Sequence, residues 1–206
     1  MAKQKFMTVG ALALAIGIGG MRSHAQTPAD NATVDEMRNK LLRLPYYGVF
    51  DFLAFSYSKG TVTLSGYAAH GTLKGDAERA VRQVARVDQV VNNIEDLPVS
   101  PNDDDLRWKT YYAIYSDPFL ARYAPGGGML WGHRHRVRAS PFGSAGRFPG
   151  LYPTGNYPIS IIVKNGRITL MGVVDSEADK TMAGLKAKGV PGAFAVENEL
   201  TVERSK

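Results

Sequence analysis

The chain of 206 residues contains no cysteine. That excludes a disulfide framework, a thiolate metal site, a thiol nucleophile and lipid attachment through an N-terminal cysteine. Each folded unit must therefore hold together by its apolar core. Long hydrophobic runs are scarce as well. The one apolar stretch, Phe6 to Ile18, falls short of the roughly 20 residues needed to span a bilayer. It follows Lys3 and Lys5 and precedes Gly19-Gly20 and Ser23-His24-Ala25, which is the order of a secretory signal. Residues 1–25 are expected to leave by cleavage after Ala25, so the chain is not expected to be an integral membrane protein.

Charge of one sign is also modest. Of the formal +6, Lys3, Lys5 and Arg22 go with the leader and leave +3, too mild for a dedicated nucleic-acid binder. Catalytic motifs are missing too. Gly143-Ser144-Ala145-Gly146 lacks the spacing of a nucleophile elbow, and Gly126-Gly127-Gly128 has no following Gly-Lys-Ser/Thr. His133 and His135 stand beside Arg134 and Arg136 with no carboxylate nearby, a poor ligand set for a divalent ion. The expectation is no enzyme, no cofactor and no metal.

What is there is a repeat. Lys59-Gly60-Thr61-Val62-Thr63-Leu64-Ser65-Gly66 returns as Asn165-Gly166-Arg167-Ile168-Thr169-Leu170-Met171-Gly172, a shift of 106 residues. The frame then holds without a gap to Val90-Val91-Asn92-Asn93-Ile94 against Val196-Glu197-Asn198-Glu199-Leu200. Self-similarity at one fixed offset marks a duplicated structural unit.

In the first copy, Thr33 and Glu36 have capping-box spacing and Met37, Leu41 and Leu44 follow on one helical face, ended by Pro45. Leu53, Phe55 and Tyr57 alternate, Lys59-Gly60 turns, and Val62 and Leu64 alternate: a hairpin with one buried face. A second helix carries Ala77, Ala80, Val81 and Val84, and Val90, Asn92 and Ile94 form a last strand. The second copy repeats the order: a helix over Leu106 to Ser116, strands through Ile159, Ile161, Val163 and Ile168, Leu170, a helix capped by Ser176 and stopped at Pro191-Gly192, and a closing strand at Val196. Cores are expected at Leu53, Phe55, Val62, Leu64, Val84 and Val90, and at Ile159, Ile161, Ile168, Leu170, Val190 and Val196. The expected division is a domain over 33–98, a linker over 99–104 and a domain over 105–204.

The hairpin around Lys59-Gly60, with Arg86-Val87-Asp88-Gln89-Val90-Val91-Asn92-Asn93-Ile94 after it, resembles the BON domain of bacterial envelope proteins. The second copy is similar through Lys164 to Gly172 and Val190 to Val202. Arg86 departs from the family, which usually shows glycine there. The resemblance implies an α+β protein of two tandem αββαβ domains, each a small mixed three-stranded sheet packed on two helices. It further implies a periplasmic location, association with phospholipid membranes, and roles in envelope integrity and stress, with chaperone-like activity in some members.

Two features stand outside the shared pattern. Matching Asp117-Pro118 to Leu44-Pro45 gives an offset of 73, so the second copy has gained 33 residues, about 124–156. That segment holds Trp131, Arg134, Arg136, Arg138 and Arg147, no acidic residue, eight glycines and four prolines. Such a composition offers little periodic apolar surface to offset the entropy of ordering, so an exposed loop that can be deleted is expected. Arginines beside aromatic residues suit an anionic lipid leaflet.

The other feature is a stripe of Trp108, Tyr111, Tyr112 and Tyr115 on the first helix of the second copy. Leu106, Thr110 and Ile114 mark a second stripe on that helix. Both cannot face one sheet, so one meets the first domain or a lipid surface. The candidate binding residues are therefore Trp108, Tyr111, Tyr112, Tyr115, Trp131, Arg134, Arg136, Arg138 and Arg147, and the candidate partners an anionic phospholipid surface or envelope proteins. A periplasmic chaperone or protein-interaction module is the alternative.

Overall fold

The computed structural model describes residues 28–125 and 152–203, together with a two-residue strand β1 (Met7–Thr8) that lies within the expected leader. The first unit runs α1 (Pro28–Leu42), β2 (Phe52–Ser58), β3 (Thr61–Ala68), α2 (Leu73–Arg82) and β4 (Gln89–Asp96). The second runs α3 (Pro101–Tyr115), β5 (Ile159–Lys164), β6 (Arg167–Val174), α4 (Glu177–Lys188), β7 (Ala195–Asn198) and β8 (Thr201–Val202). The chain is thus α+β, with a repeated helix, strand, strand, helix, strand order. In each unit the hairpin is antiparallel and the last strand returns parallel to the second, which makes the sheet mixed. β8 continues the line of β7 along β6, and β1 adds a short fourth strand beside β2.

The repeat is visible down to single side chains. Both hairpins turn on two successive residues of positive φ, Lys59 (48°) and Gly60 (78°), then Asn165 (52°) and Gly166 (75°), the signature that matches strand twist in a tight hairpin. Asn92 donates its Nδ2 to the Lys74 carbonyl (3.0 Å) and accepts the Ile94 N–H (3.2 Å). Asn198 does the same with Lys180 (2.7 Å) and Leu200 (3.3 Å), each partner 106 residues on. Helix and last strand are tied by the same amide twice.

The first helices start earlier than the sequence suggests. Thr33 is mid-helix and buried, and α1 reaches back to Pro28, a residue whose missing N–H is harmless in a first turn, with Asp30 adding favourable charge there. Residues 101–104, expected in the linker, are already helical. Ser100 caps α3 by accepting the Asp103 N–H at 3.2 Å, so only 97–100 lie outside helix and strand. α4 is capped by Ser176 as expected and ends at Lys188, before Pro191. With these limits α1 and α3 are both 15 residues long and begin 73 apart.

Leu53, Phe55, Val62, Leu64 and Val84 are buried in the first core, and Ile159, Ile161, Ile168, Leu170 and Val190 in the second. Val90 and Val196 are half-buried, because each lies on a last strand at the sheet edge. The two units also pack on each other. Phe52, Ala54, Leu97 and Ile162 pair the sheet faces turned away from the helices, and Val49 and Phe50 insert into the second core. Backbone bonds cross the same seam: Val49 N–H to the Pro153 carbonyl (3.1 Å), Ile161 N–H to the Val49 carbonyl (2.7 Å) and Gly155 N–H to the Tyr47 carbonyl (2.9 Å).

Candidate functional site

α3 carries two faces with different tasks. Leu106, Thr110 and Ile114 are fully buried against the second sheet. The neighbouring aromatic stripe turns from core toward solvent along its width. Tyr115 is buried and donates its hydroxyl to the Ile159 carbonyl at 2.6 Å, Trp108 and Tyr111 are half-buried, and Tyr112 is 53% exposed. The stripe's contact is the first unit. Phe50 meets Trp108, Tyr111 and Tyr152 edge-on, with ring centroids at 5.6, 6.3 and 5.2 Å, and Tyr157 closes the cluster against Tyr111 and Tyr115. Edge-to-face geometry sets the positive rim of one ring on the negative face of the next. Trp108 and Tyr112 stack at 5.9 Å on the open side.

The inserted segment begins and returns beside this cluster. Ala124 and Tyr152 both pack against the second core, and the Tyr152 hydroxyl donates to the Asp104 carboxylate at 2.7 Å. Burial and that carboxylate push the Tyr152 phenol up to about 12, so it remains a proton donor. Pro153 and Gly155 hold the first unit through backbone bonds. This corrects the expectation of a dispensable loop over 124–156. Its described ends, 124–125 and 152–156, are part of the interface. Trp131, Arg134, Arg136, Arg138 and Arg147 lie outside the described residues.

Two charged groups are buried behind the cluster. Arg107, 2% exposed, donates to the Val163 carbonyl at 2.9 Å and to Asp104 on its own helix. Asp51, at the entry to β2, accepts the N–H groups of Gly48 (3.0 Å) and Ala69 (2.7 Å). Burial pushes its carboxyl up to about 7, against the pull of those N–H groups and of the Arg107 charge across the seam.

Phe50, Tyr152 and Tyr157 are the cluster members that sequence reasoning missed. Phe50 lies in 46–51, between the first helix and the first strand of its unit, and only its aromatic density signals it. Among the described residues, no group of three or more His, Asp or Glu is placed to hold a metal ion, and no helix is long and apolar enough to cross a membrane.

The sequence model of the BON domain family matches residues 51–95 and 154–204, each region opening shortly before the hairpin and closing near the last strand. No curated protein matches the chain. Among solved structures it is similar to CdsD, a structural protein of the type III secretion system of Chlamydia trachomatis. Identity is 13% over 85% of this chain and 94% of that one, with a TM-score of 0.27. The C-terminal domain of CdsD matches at 13% identity over 83% and 97%, with a TM-score of 0.26. Likenesses that distant carry no argument about fold or function. BON domains are in general non-catalytic and belong to envelope-associated, phospholipid-binding proteins. Two family matches on two units of one topology make this a protein of two BON domains.

Proposed function

We propose that this is an exported, non-enzymatic periplasmic protein that binds anionic phospholipid surfaces and supports envelope integrity or stress tolerance. The observation that carries the reading is the position of the aromatic cluster at the root of the cationic segment. Tyr152 touches Phe50 and α3, and the chain before it supplies Arg134, Arg136, Arg138 and Arg147 without one acidic residue. Each arginine near an acidic leaflet contributes about 1 kcal/mol of attraction. The stacked Trp108 and Tyr112, the tyrosine exposed, suit the headgroup region.

Sedimentation with vesicles tests this. The chain is expected to pellet with phosphatidylglycerol-containing vesicles and to stay in solution with purely zwitterionic ones. Y112A, with residues 126–151 replaced by a short Gly/Ser link, should lose most of the binding while keeping the fold. Equal failure to bind either vesicle would sink the lipid reading.

A further inference from the structure

β2 and β5 are equivalent outer strands, and their free edges are treated differently. In β5 the outward backbone groups belong to Ile159, Ile161 and Val163, as the Ile161 N–H bond to Val49 shows. Each residue has a partner. Tyr115 donates to the Ile159 carbonyl (2.6 Å), Val49 accepts from Ile161 (2.7 Å), and Arg107 donates to the Val163 carbonyl (2.9 Å). One outward backbone group of every such β5 residue is thus already taken within this chain.

In β2 the same positions, 106 residues earlier, are Leu53, Phe55 and Tyr57, in the same register with the inner strand (Phe55 opposite Leu64, as Ile161 is opposite Leu170). At the 73 offset of the first helices, the residues corresponding to Arg107 and Tyr115 are Val34 and Leu42. Their side chains have nothing to donate. Phe55 is met instead by β1, with Met7 opposite Phe55 and Thr8 opposite Ala54 in antiparallel register.

We propose that the Phe55–Tyr57 edge of the first sheet is a strand-acceptor site, and that its ligand is an extended apolar segment running antiparallel to β2. Met7–Thr8 of this chain holds that place and shows the chemistry the edge accepts: two successive residues whose main chain completes the ladder, inside the apolar run Phe6 to Ile18. Main-chain bonds supply affinity in this mode, and an unpaired edge is the template it requires. The duplication leaves one copy sealed by its own arginine and tyrosine and the other open to exchange. Removal of the leader vacates the edge for an apolar strand of a partner protein.

Hydrogen exchange on the full chain and on Met7→Pro tests this, since proline removes the N–H that faces Phe55. The Phe55 amide is expected to exchange at least tenfold faster in the variant, with Ile161 unchanged as the sealed control. A synthetic peptide of residues 3–11, added to the variant, should restore protection at Phe55, and a scrambled peptide should not. Unchanged exchange at Phe55 in Met7→Pro, or no protection by the peptide, overturns the proposal. So does protection that rises with protein concentration alone, which would mean that two copies pair their β2 edges.

Discussion

Arg86 has φ of 69°, the left-handed region, and the residue 106 positions later is Gly192, with φ of 96°. The same bend is therefore built once from glycine and once at a cost of roughly 1–2 kcal/mol in backbone strain. R86G should raise stability by up to about 1 kcal/mol, the strain relieved less the extra chain entropy of glycine, as read by denaturant titration. A loss would show that the Arg86 side chain supplies more than its backbone strains. The paired asparagines offer a nearly matched experiment: N92A and N198A should each cost about 1–2 kcal/mol, because each strips the same two partly buried bonds, N92A also losing one to Glu78 (3.1 Å). Arg86 was legible in the sequence as a departure from pattern, and the asparagines as matched positions. Asp51 was not, since a carboxylate reads as surface until burial is known. Its folded value is raised to about 7 from the ordinary carboxylate range, so the folded state holds a proton that the unfolded chain releases. Its contribution to stability is therefore fully present below about pH 4 and falls as pH rises toward 7. D51N should flatten that slope and be better tolerated at pH 8 than at pH 4. A variant with an unchanged pH profile would place the titration elsewhere.

At the level of elements, helix α3 does three jobs at once. Its N-terminus binds the opposite hairpin, where Asp103 accepts the N–H groups of Asn165 and Gly166, both at 2.8 Å. One face fills the core, and the aromatic face receives Phe50 of the first unit. Two stripes on one helix were legible from spacing, and so was their incompatibility with a single sheet. The partner of the second stripe was not, because Phe50 sits in a stretch that neither strand nor helix periodicity selects. The insertion was legible as an excess of residues but not in its working ends. Replacement of 126–151 should leave the melting temperature within a few degrees of the full chain. Replacement of 124–156 should lower it well beyond that, since it removes Tyr152 and the backbone bonds of Pro153 and Gly155. Equal tolerance of both deletions would mean that the seam adds nothing to stability.

Across the whole molecule, the duplication produced two units joined by one packed seam. An internal repeat exposes what both copies share, namely the hairpin, the helix positions and the asparagine tie. It hides the interface, since Val49, Phe50, Leu97 and Ile162 meet there and the matching positions of the other copy hold different residues. A seam containing a fully buried Phe50 predicts one cooperative unfolding transition, and F50A should cost about 3–5 kcal/mol and split it in two. A single undivided transition in F50A would show the coupling to rest on the sheet faces instead. The seam also fixes the aromatic cluster to the root of the cationic segment, which is the arrangement the lipid reading depends on. The chain has two tryptophans, Trp108 and Trp131, so W108F leaves Trp131 as the sole reporter of the inserted segment. Its emission on titration with vesicles tests the central claim most directly. A blue shift with phosphatidylglycerol vesicles that salt reverses, and none with zwitterionic vesicles, is the predicted result. Emission that stays unshifted with both would contradict a lipid contact through this segment.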